Sequence, residues 1–152
     1  MIWKVIKHFK HTEPWGTPAR MSGVFLLTVD AIHGVWGPDT RIIIHCGFDI
    51  DGHTTGSRHY KGDAGDFHIV DGEPYPLQIA HMESVLRDLQ VSDYVGLGIY
   101  PDWNHPGFHL DTRGEHARWG YVESLAGYIA YEAAKEYAVQ KFSYPGEAPG
   151  KP

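Results

Sequence analysis

Between Met21 and Val35 the residues Met21, Val24, Phe25, Thr28, Val29 and Ile32 recur at helical spacing, which predicts a helix ending near Gly34 or Gly37. A second helix is predicted from about Pro76 to Leu89, with Ile79, Met82, Val85, Leu86 and Leu89 on one face and a proline suited to the first turn. The clearest helical pattern runs from Tyr121 to Phe142, placing Val122, Leu125, Ala126, Ile129, Ala130, Ala133 and Tyr137 on one side.

Shorter patterns lie between them. Arg41 to Phe48 is a β-branched run bounded by glycine, and Asp66 to Val70 alternates; both read as strands. Val95 to Tyr100 and Phe108 to Asp111 read as a hairpin joined by the turn-rich Pro101-Asp102-Trp103-Asn104-His105-Pro106-Gly107. The stretch from Asp49 to Gly65 is a long loop, rich in Gly, Thr, Asp and His, and loops of that length are usually functional or disordered. Residues 1–20 read as an irregular lead-in and residues 145–152 as a frayed tail. With no repeats and no linker, the chain is expected to form one α+β domain, a small and largely antiparallel sheet covered by helices.

Composition narrows the function. A net charge of −6 with scattered basic residues excludes the Lys/Arg stripe that nucleic acid requires, so no nucleic-acid partner is expected. No segment reaches the roughly 18 apolar residues of a membrane span, and the start has no signal-peptide core, so a cytoplasmic location without membrane insertion is expected. Cys46 is the single cysteine and reads as a small inert core residue within its strand. Eleven histidines are unusual in 152 residues, and several sit in polar, Gly-rich stretches where side chains can converge.

The segment Ser57-Arg58-His59-Tyr60-Lys61-Gly62-Asp63-Ala64-Gly65-Asp66 couples a histidine at a loop end to a carboxylate at a strand start. Both side chains bind zinc, and a catalytic zinc needs three protein ligands and one open position. Phe108-His109-Leu110-Asp111 supplies a third candidate, because alternation sends His109 and Asp111 to one face while Phe108 and Leu110 face the core. Asp111 is then placed to accept a hydrogen bond that orients a histidine ligand.

The spacing Ser57-x-His59-x-x-Gly62-x-Ala64-x-Asp66 resembles the signature of the M15 metallopeptidases, the D-alanyl-D-alanine carboxypeptidase and phage L-alanyl-D-glutamate endopeptidase group. Gly96-Leu97-Gly98-Ile99-Tyr100-Pro101, then Phe108-His109-Leu110-Asp111-Thr112-Arg113 and Trp119, resembles the second half of that pattern. The resemblance spans about Met21 to Trp119 and implies a hedgehog/DD-peptidase-like fold, with zinc on His59, Asp66 and His109. It also implies an enzyme that hydrolyses peptide bonds of peptidoglycan stem or cross-link peptides; the lack of a signal-peptide core and the single domain fit a phage lysin held in the cytoplasm until release, and a monomer is expected. An acidic residue shortly before the last ligand serves relatives as the base, which points to Asp102, with His105 as competitor or alternative ligand. Relatives carry an arginine where this chain has Asp49, and Arg58 or Arg113 are the candidates to replace it at the substrate.

The other readings are a zinc-bearing binding or structural module, such as a phage-particle component, and a zinc amidase that cuts between sugar and peptide. His8, His11, His33, His81 and His116 read as solvated or core-satisfied residues, with His45, His53 and His68 intermediate. Trp103, Trp119 and Tyr100 read as packing residues, with a platform for a peptide-linked sugar polymer as the alternative.

Overall fold

The computed structural model describes residues 1–142. The expected tail at 145–152 lies outside the described residues. Among the described residues, three α-helices, α1 (Gly23–Trp36), α2 (Tyr75–Asp88) and α3 (Tyr131–Lys141), accompany six strands: β1 (Arg41–Cys46), β2 (Ala64–Val70), β3 (Gly96–Tyr100), β4 (Gly107–Asp111), β5 (Ala117–Val122) and β6 (Gly127–Ile129). The strands form one sheet in the order β1-β2-β4-β3-β5-β6. Every neighbouring pair is antiparallel except β3 with β5, so the sheet is mixed and the fold is α+β.

Period-2 alternation divides the sheet into two chemically different faces. Ile42, Ile44, Phe67, Ile69, Leu97, Ile99, Phe108 and Leu110 are buried in one core cluster with Phe25, Val29 and Ile32 of α1 and Ile79, Met82 and Leu86 of α2. The intervening positions, among them Asp66, His109 and Asp111, point the other way. Ser22 caps α1 by accepting a hydrogen bond from the Phe25 amide, which sets the helix start at Gly23, within the run from Met21 expected from spacing. The lead-in is tied to this helix through Asp30, whose carboxylate accepts from the Lys7 and His8 amides, and Trp15 is fully buried.

Two expectations are overturned. The segment Tyr121–Phe142 is not one helix: its first part completes β5, turns through Ala126 and Gly127, and forms β6 before α3 starts. Ala126 and Gly127 have φ of 75° and 89°, a left-handed conformation that no right-handed helix can pass through. On β5, Val122 is fully buried while Leu125, assigned to the same helical face, is about half exposed. Nor is Cys46 a core residue. A bulge between Ile44 and Cys46 inserts one residue, so Cys46 pairs with Asp66 and shares its face instead of following Ile42 and Ile44 into the core.

Candidate metal centre

Three segments of the chain contribute to this part of the polar face. His59 sits on a 3-10 turn (Arg58–Lys61) that leads into β2, Asp66 is on β2, and His109 is directly opposite it on β4. The turn ends on Gly62 at φ 73°, and a Cβ there would stand 2.0 Å from the Arg20 carbonyl oxygen, so the return of the chain toward β2 requires glycine.

The donor atoms converge closely. His59 Nε2 is 3.2 Å from Asp66 Oδ1 and 3.2 Å from His109 Nδ1, and His109 Nδ1 is 2.9 Å from Asp66 Oδ1. Donors each about 2.0 Å from a tetrahedral ion are separated by about 3.3 Å, so this triangle matches one face of such a site. The opposite edge of each ring is already committed. His59 Nδ1 donates to the Gly47 carbonyl at 2.7 Å, and His109 Nε2 donates to Asp111 Oδ2 at 2.9 Å. Neutral rings so fixed present lone pairs, not N–H groups, to Asp66.

Three electron-pair donors that meet at hydrogen-bond distance need a cation or a proton between them. The charges respond accordingly: burial opposes protonation of His59, but Asp66, Cys46 and Gly47 outweigh it and raise its pKa to about 10. Burial acts to raise the Asp66 pKa, yet contacts with His109 and His59 hold its carboxyl well below the usual range. His109 is likewise raised against its burial by Asp111 and Asp66. His59, Asp66 and His109 therefore form a group able to hold a metal ion.

The support beneath the site is equally specific. Asp111 is fully buried and held by Arg113, whose Nε and terminal nitrogen each donate at 2.7 Å. Strand β3 makes room for this pair by carrying no side chain at Gly96, where a Cβ would lie 2.6 Å from both Asp111 and Arg113. At Gly98 a Cβ would lie 2.6 Å from the Trp119 indole, whose ring centre is 5.2 Å from that of His109.

The cluster opens into a cavity of about 720 Å³. One wall is aromatic: Tyr100 stacks on Trp103 at 4.2 Å, Trp119 Nε1 donates to the Tyr100 hydroxyl, and Tyr121 meets Tyr128 edge-on. The loop from Gly52 to Arg58 forms the other wall, so Tyr100, Trp103 and Trp119 face space and are not merely packing.

Of the residues expected at the site, Arg58, Arg113 and Asp111 line the cavity with the three candidate ligands. The structure does not bring Asp102 or His105 there. Asp102 accepts from Lys141 Nζ at 2.7 Å and from the Tyr137 hydroxyl at 2.8 Å, so its carboxylate is anchored to α3; burial acts to raise its pKa, but these partners lower it. His105 stacks on His68 at 4.5 Å, beside His45, in a separate group of rings. Arg58 is paired with Asp63 at 3.3 Å.

His53, intermediate by sequence and not among the expected site residues, stacks on His59 at 4.1 Å and lines the cavity, as do Tyr121 and Tyr128 from the segment expected to be helical. The signal for His53 was the string Cys46-x-x-Asp49-x-x-x-His53, three ligand-type residues from the end of β1 into the following loop. No family model matches the chain, and no curated protein or solved structure matches it either.

Proposed function

We propose that the protein is a zinc-dependent hydrolase of peptide bonds, acting on the stem or cross-link peptides of bacterial peptidoglycan. The observation that carries this reading is the convergence of His59 Nε2, His109 Nδ1 and Asp66 Oδ1 at the floor of an open cavity, with both rings held in the ligand tautomer from behind. Two imidazoles and one carboxylate suit zinc by ligand type and leave a position for water or substrate. A zinc ion bound there supplies Lewis-acid polarisation of a carbonyl and an acidified water.

The remaining roles belong to the chain's own groups. Gly47 and Asp111 orient the two histidines, and Arg113 keeps Asp111 ionised and fixed. The aromatic wall gives a substrate apolar faces to lie on, while Arg58, which lines the cavity beside its partner Asp63, offers a charge to a peptide carboxylate. His53 stacks on His59 at 4.1 Å and lines the same cavity outside this ligand set. The choice of peptidoglycan peptides rests on the resemblance of the two sequence motifs.

One observation favours a second reading, a metal-bearing binding module without hydrolytic activity. Among the described residues lining the cavity the carboxylates are Asp66 and Asp111, and both are engaged with histidines. The test is elemental analysis of protein purified without added metal, beside His59→Ala, with mass spectrometry of digested peptidoglycan. About one zinc at this centre, lost in the variant together with new peptide ends, supports the hydrolase. Zinc without new ends selects the binding module, and no zinc in either protein, even after supply, removes both.

A further inference from the structure

On the far edge of the His59 ring from the candidate centre lies a second group of ligand-type atoms. Cys46 Sγ is 3.7 Å from His53 Nε2 and 3.9 Å from Asp49 Oδ2, and His53 Nε2 is 3.3 Å from Asp49 Oδ2. Around a tetrahedral ion, nitrogen and oxygen donors stand about 3.3 Å apart and either stands about 3.5 Å from a thiolate, so the three edges fit with small adjustments. Cys46 Sγ is also 3.6 Å from His59 Nδ1, and Cys46, His53 and His59 together form a group able to hold an ion. The side chains of His53 and Asp49 are 23% and 39% exposed, so an ion has access from solvent.

We infer that Cys46, Asp49 and His53 form a second metal site, selective for thiolate-accepting divalent ions of the zinc type. The bulge in β1 is what makes it, because it turns Cys46 out of the core register and toward the loop. A sulfur, nitrogen and oxygen set prefers borderline ions over magnesium or calcium, which take oxygen ligands. Binding releases the thiol proton to solvent, and the Nδ1–H of His59 is within reach of the resulting thiolate. The ion ties two loop residues to the end of β1, and the same loop supplies the cavity wall from Gly52 to Arg58. Metal at this site therefore orders one wall of the cavity without touching the bond to be cleaved.

The site does not depend on the peptidase reading, and cobalt(II) separates the two. The full chain, stripped by chelator, is titrated with cobalt(II) while the near-ultraviolet thiolate-to-cobalt charge-transfer band is followed. Two equivalents and a charge-transfer band are expected for the wild type. Cys46→Ser is expected to lose the band and one equivalent, and His53→Ala to lose the same equivalent, with folding of each checked by circular dichroism. Asp66→Ala is expected to keep the band while losing the other equivalent. Saturation without a charge-transfer band, or a band that survives Cys46→Ser, would overturn the second site and leave the first unaffected.

Discussion

His109 donates its Nε2–H to Asp111 at 2.9 Å, and this leaves Nδ1 as the one lone pair of the ring, aimed at Asp66. The orientation is secured twice over, since Asp111 is itself gripped by Arg113 at both oxygens. Asp111→Asn keeps the shape, but an amide presents one acceptor oxygen where two are in use. Metal affinity is expected to fall about 10–100-fold, the usual effect of losing such a partner, as read by competition with a chromophoric chelator.

Zinc is expected to stabilise the fold, because the donors are assembled only in the native state. At about 100 times Kd the gain is about 2.7 kcal/mol. Thermal unfolding with and without zinc should show the midpoint rise in the wild type, and a much smaller rise in Asp66→Ala would confirm that this carboxylate carries the binding.

Gly98→Ala introduces a methyl group where the Trp119 indole already lies. Overpacking of this kind costs about 1–3 kcal/mol, to be read as a lower urea midpoint. Tryptophan fluorescence should change as well, since the indole has to shift away from residue 98.

Asp102→Asn is expected to leave metal content and hydrolysis unchanged. Its partners are Lys141 and Tyr137 on α3, and a solvent-screened pair of this type contributes about 1 kcal/mol or less to stability. A loss of hydrolysis with metal content retained would return Asp102 to the site.

Stability should also decline in mildly acidic solution because of His68. Burial lowers its pKa, and the charges of His45, His105 and Arg41 lower it further, to about 4 from an ordinary 6.5. Above the ordinary value the ring is neutral whether the chain is folded or not. As pH falls from there toward 4, the unfolded chain takes up a proton that the folded chain refuses, so stability is lost across that window. His68→Asn should flatten the pH dependence of the unfolding midpoint there.

Much of this arrangement was legible in the residue order because local rules govern it. The alternation around Phe108-His109-Leu110-Asp111 places His109 and Asp111 on one face, and the cross-strand pairing of His109 with Asp66 follows once β2 and β4 are neighbours. The helical reading of Tyr121–Phe142 failed because Val122, Ala126 and Ile129 satisfy a helical period while also fitting a hairpin, and the decision fell to the turn at Ala126 and Gly127. The bulge beside His45 has no signature in Ile42-Ile43-Ile44-His45-Cys46, so the turning of Cys46 toward the loop could not be read. Asp102 was assigned by its distance from His109 along the chain, whereas its fate is set by Lys141, 39 residues away.

His59 and His109 are 50 residues apart in the chain. Closing a loop of that size, and zipping β2 onto β4, has to precede any contact between them, and such non-local pairings form late and slowly. For the centre on His59, Asp66 and His109, a nascent or partly folded chain therefore offers an ion only fragments, His59 with Asp66. Capture of metal at that centre becomes a report on finished folding: an ion bound there during refolding is expected to wait for the sheet, and its uptake should keep time with the slowest step of strand assembly.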